Sequence, residues 1–197
     1  MAITIQSFSG SDATPFFGDL ARLRTTVFRA FPYLYEGNPV YEQTYLSTYA
    51  KSEGSVFVLA IDGDQVVGVA TGTPMAGETE EVKRPFFEAG LNTQEFFYFG
   101  ESVLLSEYRG QGIGVKFFEG REAQARKLGL HYATFCAVER PADHPRRPAD
   151  YVPLDAFWAK RGYTHHPELR TTFTWRDLDE TVESPKPLSF WIRDLTL

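Results

Sequence analysis

The chain is poor in the residues that staple small secreted folds or ligate metals: its 197 residues include one cysteine, Cys136, and four histidines. A lone thiol excludes an intramolecular disulfide framework and a cysteine-based zinc site. No run approaches the roughly 18 apolar residues of a membrane-spanning helix. The opening Met1-Ala2-Ile3-Thr4-Ile5-Gln6 is neither a charged leader segment nor a long apolar one. Basic residues do not predominate, with 20 Lys and Arg against 26 Asp and Glu and a formal charge of −6. That balance argues against a general grip on nucleic acid and against a polybasic membrane-surface protein. A cytoplasmic protein with neither partner is the expectation. Repeats, low-complexity runs and long linkers are also missing, so residues 1–197 read as one domain. At this length roughly 70% of the unfolded chain's surface disappears on folding, enough for a core without staples.

What is present is an alternation of strand and helix signals. Ile3 to Phe8 alternates apolar and polar residues, as a half-buried strand does. Leu20, Leu23, Val27, Phe28 and Phe31 recur at helical spacing, and Pro32 is expected to end that helix. Beyond Gly37-Asn38-Pro39, residues Tyr41, Tyr45 and Tyr49 are spaced by four, as on one helix face. The β-branched runs Val56 to Ile61 and Val66 to Thr73 flank Asp62-Gly63-Asp64-Gln65, a hairpin turn. A loop with a short helix near Val82 to Ala89 precedes an aromatic-then-aliphatic strand, Phe96 to Leu105. Ile113, Phe117, Phe118, Ala125 and Leu128 mark an amphipathic helix with Gly129 placed to cap it. A strand at Tyr132 to Val138, a Pro- and Arg-rich loop and a short helix at Leu154 to Arg161 follow. Strands at Thr171 to Trp175 and Ser189 to Leu195 close the chain. The order is that of an α/β domain with a mixed sheet.

The chemistry is concentrated where the Phe96 strand runs into Glu107-Tyr108-Arg109-Gly110-Gln111-Gly112-Ile113-Gly114-Val115 and a helix begins at once. Glycines at every second position let the backbone bend sharply and approach a ligand closely. Unpaired N–H groups at the first turn, with the helix dipole, favour phosphate even on an acidic protein. The dinucleotide pattern G-x-G-x-x-G and the Walker loop are both absent. Glycine spacing alone equally fits a tight strand-to-helix turn without a ligand.

Arg109-Gly110-Gln111-Gly112-Ile113-Gly114 resembles the [Q/R]-x-x-G-x-[G/A] signature of the GNAT superfamily of acyl-CoA-dependent N-acyltransferases. The likeness extends over most of the chain and resumes at Ala156-Phe157-Trp158-Ala159-Lys160-Arg161-Gly162-Tyr163, similar to the family's Y-x-K-x-G-F motif. It implies a mixed, mostly antiparallel sheet flanked by helices, with a splayed central strand pair. It implies acetyl-CoA as acyl donor and no metal. Carried over, Val103, Leu104 and Leu105 would bond the pantetheine through main chain. The turn from Gly110 through Gln111, Gly112, Ile113 and Gly114 to Val115 would hold the pyrophosphate, with Arg109 or Lys116 adding charge and Trp158 beside the coenzyme. Glu101 is the candidate general base, or else a structural hydrogen-bond acceptor. The family's proton-donating Tyr falls at Trp158, whose indole has no usable proton. Tyr151 or solvent would then protonate the thiolate.

The acceptor region implied by the resemblance holds seven aromatic residues between Phe28 and Tyr49, mostly at core spacing. Tyr33 and Tyr35 lie in a loop there, and with Glu36 and Glu42 they suit a cationic amine. Arg140 and the basic strip after it suit an anionic group, so a zwitterionic small molecule fits both. Cys136 reads as a core residue, and His165 and His166 point to opposite strand faces. The leading expectation is an acetyltransferase acting on a small-molecule amine. The alternatives are an acyl-CoA-binding or regulatory protein with little turnover and a protein or peptide N-acetyltransferase. A homodimer is a further implication of the resemblance.

Overall fold

A computed structural model describes residues 3–197. Strand β1 (Thr4–Ser9) is followed by helices α1 (Phe17–Val27) and α2 (Pro39–Ala50), then by the hairpin β2 (Val56–Asp62) and β3 (Gln65–Pro74). Helix α3 (Glu80–Glu88) leads to β4 (Phe96–Leu104), α4 (Ile113–Lys127) and β5 (Tyr132–Val138). Helix α5 (Asp155–Lys160), β6 (Thr164–Trp175) and β7 (Ser184–Asp194) complete the chain. The seven strands form one sheet in the order β1-β2-β3-β4-β5-β7-β6. Every pairing is antiparallel except β4 with β5.

Residue type explains the layering. β2 and the body of β3 are buried on both faces, which is why they read as nearly continuous aliphatic runs. Helices α1 and α2 lay Leu20, Leu23, Leu46 and Tyr49 on one face, against Phe57, Leu59, Val69 and Val103. On the opposite face α4 presents Ile113, Phe117, Phe118 and Ala125 to Val58, Ala70, Phe97, Phe99 and Phe135. A smaller cluster joins Val82 and Phe86 of α3 to Phe96, Tyr98, Leu169 and Phe190. No helix among the described residues is long and apolar enough to cross a membrane.

Three expectations are corrected. Helix α1 ends at Val27 rather than at Pro32, and residues 28–35 fold back, with Tyr35 N–H donating to Phe28 O at 2.8 Å. A residue before proline disfavours helical geometry, so the periodicity of Phe28 and Phe31 outlasts the helix. Tyr41 does not share the buried face of Tyr45 and Tyr49 and is 59% exposed. Steps of four residues drift by about 40° each on a 3.6-residue helix, enough to rotate the first tyrosine off the sheet. Strand β6 begins at Thr164 rather than Thr171, with a register irregularity between His166 and Arg170. Pro167 sits at that irregularity on an edge strand, where a missing N–H is tolerated.

Gly72 on β3 makes room for a ring of β4: a Cβ there would stand 2.3 Å from Phe97 Cε1. Gly72→Val is expected to destabilise the fold by about 3 kcal/mol through overpacking. A urea titration would show a lower midpoint at unchanged slope.

Candidate functional site

The two central strands separate. β4 pairs with β5 only through Phe96, Phe97 and Tyr98, opposite Tyr132, Ala133 and Thr134. Beyond that point β5 stays bonded to β7 along its whole length, and β4 stays bonded to β3. The second half of β4 therefore has one open edge. Leu105 N–H donates to Val67 O at 3.0 Å, and Val103 and Ser102 stand opposite Val69 and Ala70. The alternation of an antiparallel ladder then turns the Val103 backbone toward β3 and that of Ser102 and Leu104 toward the opening. Of the three residues expected to offer main-chain bonds, only Leu104 faces the gap. Val103 and Leu105 are committed to β3, and Ser102 is the other residue of this stretch whose backbone faces the gap.

At the end of that edge the glycine turn leads into α4. Gly110 and Gly112 have φ of +76° and +80°, and open space surrounds the position of an added Cβ at each. Val115 and Lys116 N–H groups return to Gly112 O, whereas those of Gln111, Gly112, Ile113 and Gly114 find no backbone acceptor. Four adjoining donors at a helix N-terminus form an anion cradle. Arg109 folds back over the edge, its Nε and Nη2 donating to Leu104 O at 3.4 and 3.3 Å. Lys116 is exposed and paired with Glu119 at 2.9 Å. Gly114 allows α5 to close on α4, with Phe157 Cζ at 3.4 Å from where a Cβ would lie. Trp158 points away from this turn, packing on Phe135 and Trp191 with centroids at 5.0 and 5.2 Å. Phe157, not Trp158, is thus the α5 aromatic beside the cradle.

A bulge in β4 sets the opposite wall. The register steps from Ala70↔Ser102 to Gly72↔Phe99, so Thr71 faces both Gly100 and Glu101. Phe97 and Phe99 point toward α4, but Glu101 and Val103 point toward α1 and α2. Glu101 is 5% exposed, and its Oε2 accepts from Arg24 Nη1 at 2.6 Å and from Tyr45 Oη at 3.2 Å. Arg24 also pairs with Glu42, whose Oε1 accepts from Tyr35 Oη at 2.7 Å. Burial disfavours the Arg24 charge, but Glu101, Tyr45 and Glu42 outweigh it and hold the guanidinium protonated beyond its ordinary range. Burial, reinforced by Glu101, likewise raises the Tyr45 hydroxyl and keeps it a donor. Glu101 Oε1 and the Tyr49 hydroxyl are buried without a hydrogen-bond partner. Nearby, Tyr98 Oη meets Cys136 Sγ at 3.3 Å, and burial pushes that thiol up to about 12, so Cys136 is no nucleophile.

The other expected acceptor residues land differently. Tyr35 joins the Glu101 network through Glu42, whereas Glu36 pairs with Arg29 at 3.4 Å on the surface. Tyr33 packs against Phe28 with tilted rings at 4.6 Å, and burial holds its hydroxyl protonated. Arg140 is not a free cation. It donates to Pro32 O and Tyr33 O at 2.8 and 2.9 Å and forms a buried pair with Asp177 at 2.8 Å. It clamps the 31–36 loop instead of meeting an acceptor. Tyr151 lies edge-on to Phe31 at 4.7 Å, with the Arg147 guanidinium 4.8 Å from its ring. Burial raises its hydroxyl, so Tyr151 holds its proton. The sequence reading passed over Arg24, although an arginine within the Leu20, Leu23, Val27 stripe was a visible sign of a buried charge. Among the described residues no group of three or more His, Cys, Asp or Glu side chains is placed to hold a metal ion.

Comparison with known proteins bears on this geometry. The model of the acetyltransferase (GNAT) family matches residues 20–149. No curated protein sequence matches the chain. Among solved structures, an N-acetyltransferase from Staphylococcus aureus Mu50 superposes with a TM-score of 0.63 at 12% identity, covering 99% of each chain. An aminoglycoside 6'-N-acetyltransferase complexed with coenzyme A gives 0.61 at 13% identity, over 98% of this chain and 97% of the other. A ribosomal-protein-alanine N-acetyltransferase from Brucella melitensis gives 0.61 at 15%, over 97% and 99%. At these identities the likeness is one of fold.

Arg24→Met leaves Glu42 and Glu101 buried without their cation and is expected to cost about 3–5 kcal/mol of stability. Adding Glu42→Gln should recover part of that loss. Urea unfolding of the single and double variants reads both effects.

Proposed function

The chain belongs to the GNAT acetyltransferase family, and from that premise we propose that it transfers the acetyl group of acetyl-CoA to the amine of a small cationic molecule. The observation that carries the reading is the juxtaposition across one strand. The open edge of β4 ends in the unpaired amides of residues 111–114, while the partnerless Oε1 of Glu101 lies on the acceptor side.

The residues fit the donor. Amides of Gln111 to Gly114 would hold its pyrophosphate, and Ser102 and Leu104 would offer main-chain bonds to the pantetheine arm. Arg109 would leave Leu104 O and turn toward the phosphates, where a guanidinium is best used. An amine arriving as ammonium meets Glu101 Oε1, which removes a proton directly or through one water. The freed lone pair then forms the C–N bond, and an outward N–H of β4 stabilises the negative charge on the thioester oxygen. Cleavage of the C–S bond releases the thiolate, protonated by Tyr151 or by solvent, and the nitrogen gives up its second proton to the tyrosinate so formed or to water. Arg24 keeps Oε2 occupied, so a single carboxylate oxygen faces the acceptor. The rings of Tyr45 and Tyr49 line the same side, suiting a cation. The fold neighbours include enzymes named for a small-molecule and for a protein substrate. The clamp of Arg140 on the 31–36 loop favours the small molecule, because it closes the loop that a protein segment would cross.

Calorimetry with acetyl-CoA and thiol release across a panel of amines test the reading. Gly112→Asp should abolish acetyl-CoA binding while circular dichroism stays native, and Gly112→Ala should weaken it far less. Glu101→Gln should keep the dissociation constant within about twofold and lower kcat by about 100-fold, at the low end for loss of a general base. Tight binding with no turnover on any amine would leave a coenzyme-binding protein. Turnover confined to peptides would move the substrate to protein.

A further inference from the structure

Arg121 lies in the third turn of α4, 1% exposed, and every hydrogen-bond acceptor it has is a backbone carbonyl. Its Nε donates to Phe117 O at 3.1 Å within the helix. Nη1 reaches Glu101 O at 3.3 Å and, less closely, Thr71 O at 3.5 Å, while Nη2 is buried without a partner. The guanidinium lies over the rings of Phe99 and Phe118 at 4.0 and 5.0 Å. Burial lowers its pKa to about 10, which leaves it charged at neutral pH. A buried cation with no carboxylate hydrogen-bonded to it is costly, and Met or Leu would fill the space between two phenylalanines at no such cost. Packing alone therefore does not account for an arginine here.

Its position does. In a regular ladder Thr71 and Glu101 would exchange two backbone hydrogen bonds. The bulge disturbs that exchange: Glu101 N–H donates to Thr71 Oγ1 at 3.3 Å, and Nη1 of Arg121 donates to both carbonyls. Glu101 C=O and Ser102 N–H are two ends of one peptide group. The second of them faces the opening, on the exposed edge of β4. A cation donating to the carbonyl withdraws electron density from the peptide and makes the N–H at its far end a stronger donor.

We propose that Arg121 is a positioning residue for acyl transfer, which fixes the β4 bulge and, through the Glu101–Ser102 peptide, strengthens the Ser102 N–H as hydrogen-bond donor to the thioester oxygen. This rests on the acetyl-CoA reading above. The residue touches neither donor nor acceptor and acts from the far side of the sheet.

Two variants separate charge from packing: Arg121→Gln keeps a neutral donor, and Arg121→Lys keeps the cation. For each, calorimetry gives the acetyl-CoA affinity, thiol release gives kcat and KM, and infrared difference spectra give the carbonyl stretch of bound carbonyl-labelled acetyl-CoA. Arg121→Gln is expected to lower kcat about tenfold, less than the 100-fold typical of losing such a donor outright. Its KM and affinity should stay within about threefold, with the carbonyl stretch moving toward that of free acetyl-CoA. Arg121→Lys should keep kcat within about threefold of wild type. A Gln variant with wild-type kcat and wild-type stretch overturns the proposal. If neither variant folds, the wild-type protein decides: the Ser102 amide proton should shift downfield more than any other β4 amide on acetyl-CoA binding, and an unmoved Ser102 amide overturns the idea. Wild type that binds no acetyl-CoA removes the functional reading itself, whereas binding and turnover with a silent Arg121 remove only this one.

Discussion

One extra residue in β4 decides which chemistry faces which wall. Side chains alternate along a strand, so a one-residue insertion reverses every later one. Before the bulge, Phe97 and Phe99 pack under α4; after it, Glu101 and Val103 face α1 and α2. Without the insertion Glu101 would point into the aromatic cluster around Phe118, where a carboxylate has no place. The bulge needs a glycine at its apex, because a Cβ on Gly100 would lie 2.7 Å from Tyr49 Oη and 2.8 Å from Thr71 Oγ1. Arg121 braces it from behind, donating to the carbonyls of Thr71 and Glu101.

The opening beside the bulge is rigid for a related reason. Its two edges are each held by a neighbour outside the gap, β3 on one side and β7 on the other, so separation leaves no strand hanging. A sheet whose central edges are both unpaired is ordinarily an invitation to another strand. Here the opening ends at the first turn of α4, where unpaired amides and positive-φ glycines make the local field positive. This reconciles a protein of net charge −6 with an anion cradle. Long-range charge is screened within a Debye length, whereas amide donors act at contact.

The succession of strands and helices along the chain, the hairpin at Gly63, the α4 stripe and the glycine turn were all legible, because each depends on local spacing. The splay was legible only through resemblance, since nothing in Phe96 to Leu105 marks where pairing with β5 stops. The bulge was not legible at all: a glycine in a strand signals irregularity, but not which residue is inserted or which face follows. That missing parity hid the partners of Glu101. Arg140 shows the converse error. Its Pro-rich surroundings suggested a free basic strip, but its Asp177 partner comes from a distant loop that no local pattern could connect. Buried ion pairs between remote segments are a tertiary fact, and the pairing of Arg24 with Glu42 and Glu101 is another.

That last group also constrains the reaction. One guanidinium serves two carboxylates, so the buried cluster of Arg24, Glu42 and Glu101 carries one uncompensated negative charge. Tyr35 and Tyr45 spread it by donating one hydrogen bond each, but Glu101 Oε1 receives none. A buried oxygen in that state is expensive unless a partner arrives. An ammonium group supplies both the missing hydrogen bond and the missing charge, and a neutral amide or alcohol supplies at most the first. In the proposed reaction the proton passes to the same oxygen that attracted the cation, so the electrostatic imbalance that draws the acceptor in is relieved as its nitrogen becomes nucleophilic. Because Glu42 is tied to Tyr35, and the Tyr35 backbone bridges to Asp177 beside Arg140, the 31–36 loop and the strand that carries Glu101 belong to one connected set of polar contacts. In that proposal, preference for a cation is a property of the whole cluster, with Glu101 the member that has a carboxylate oxygen to spare.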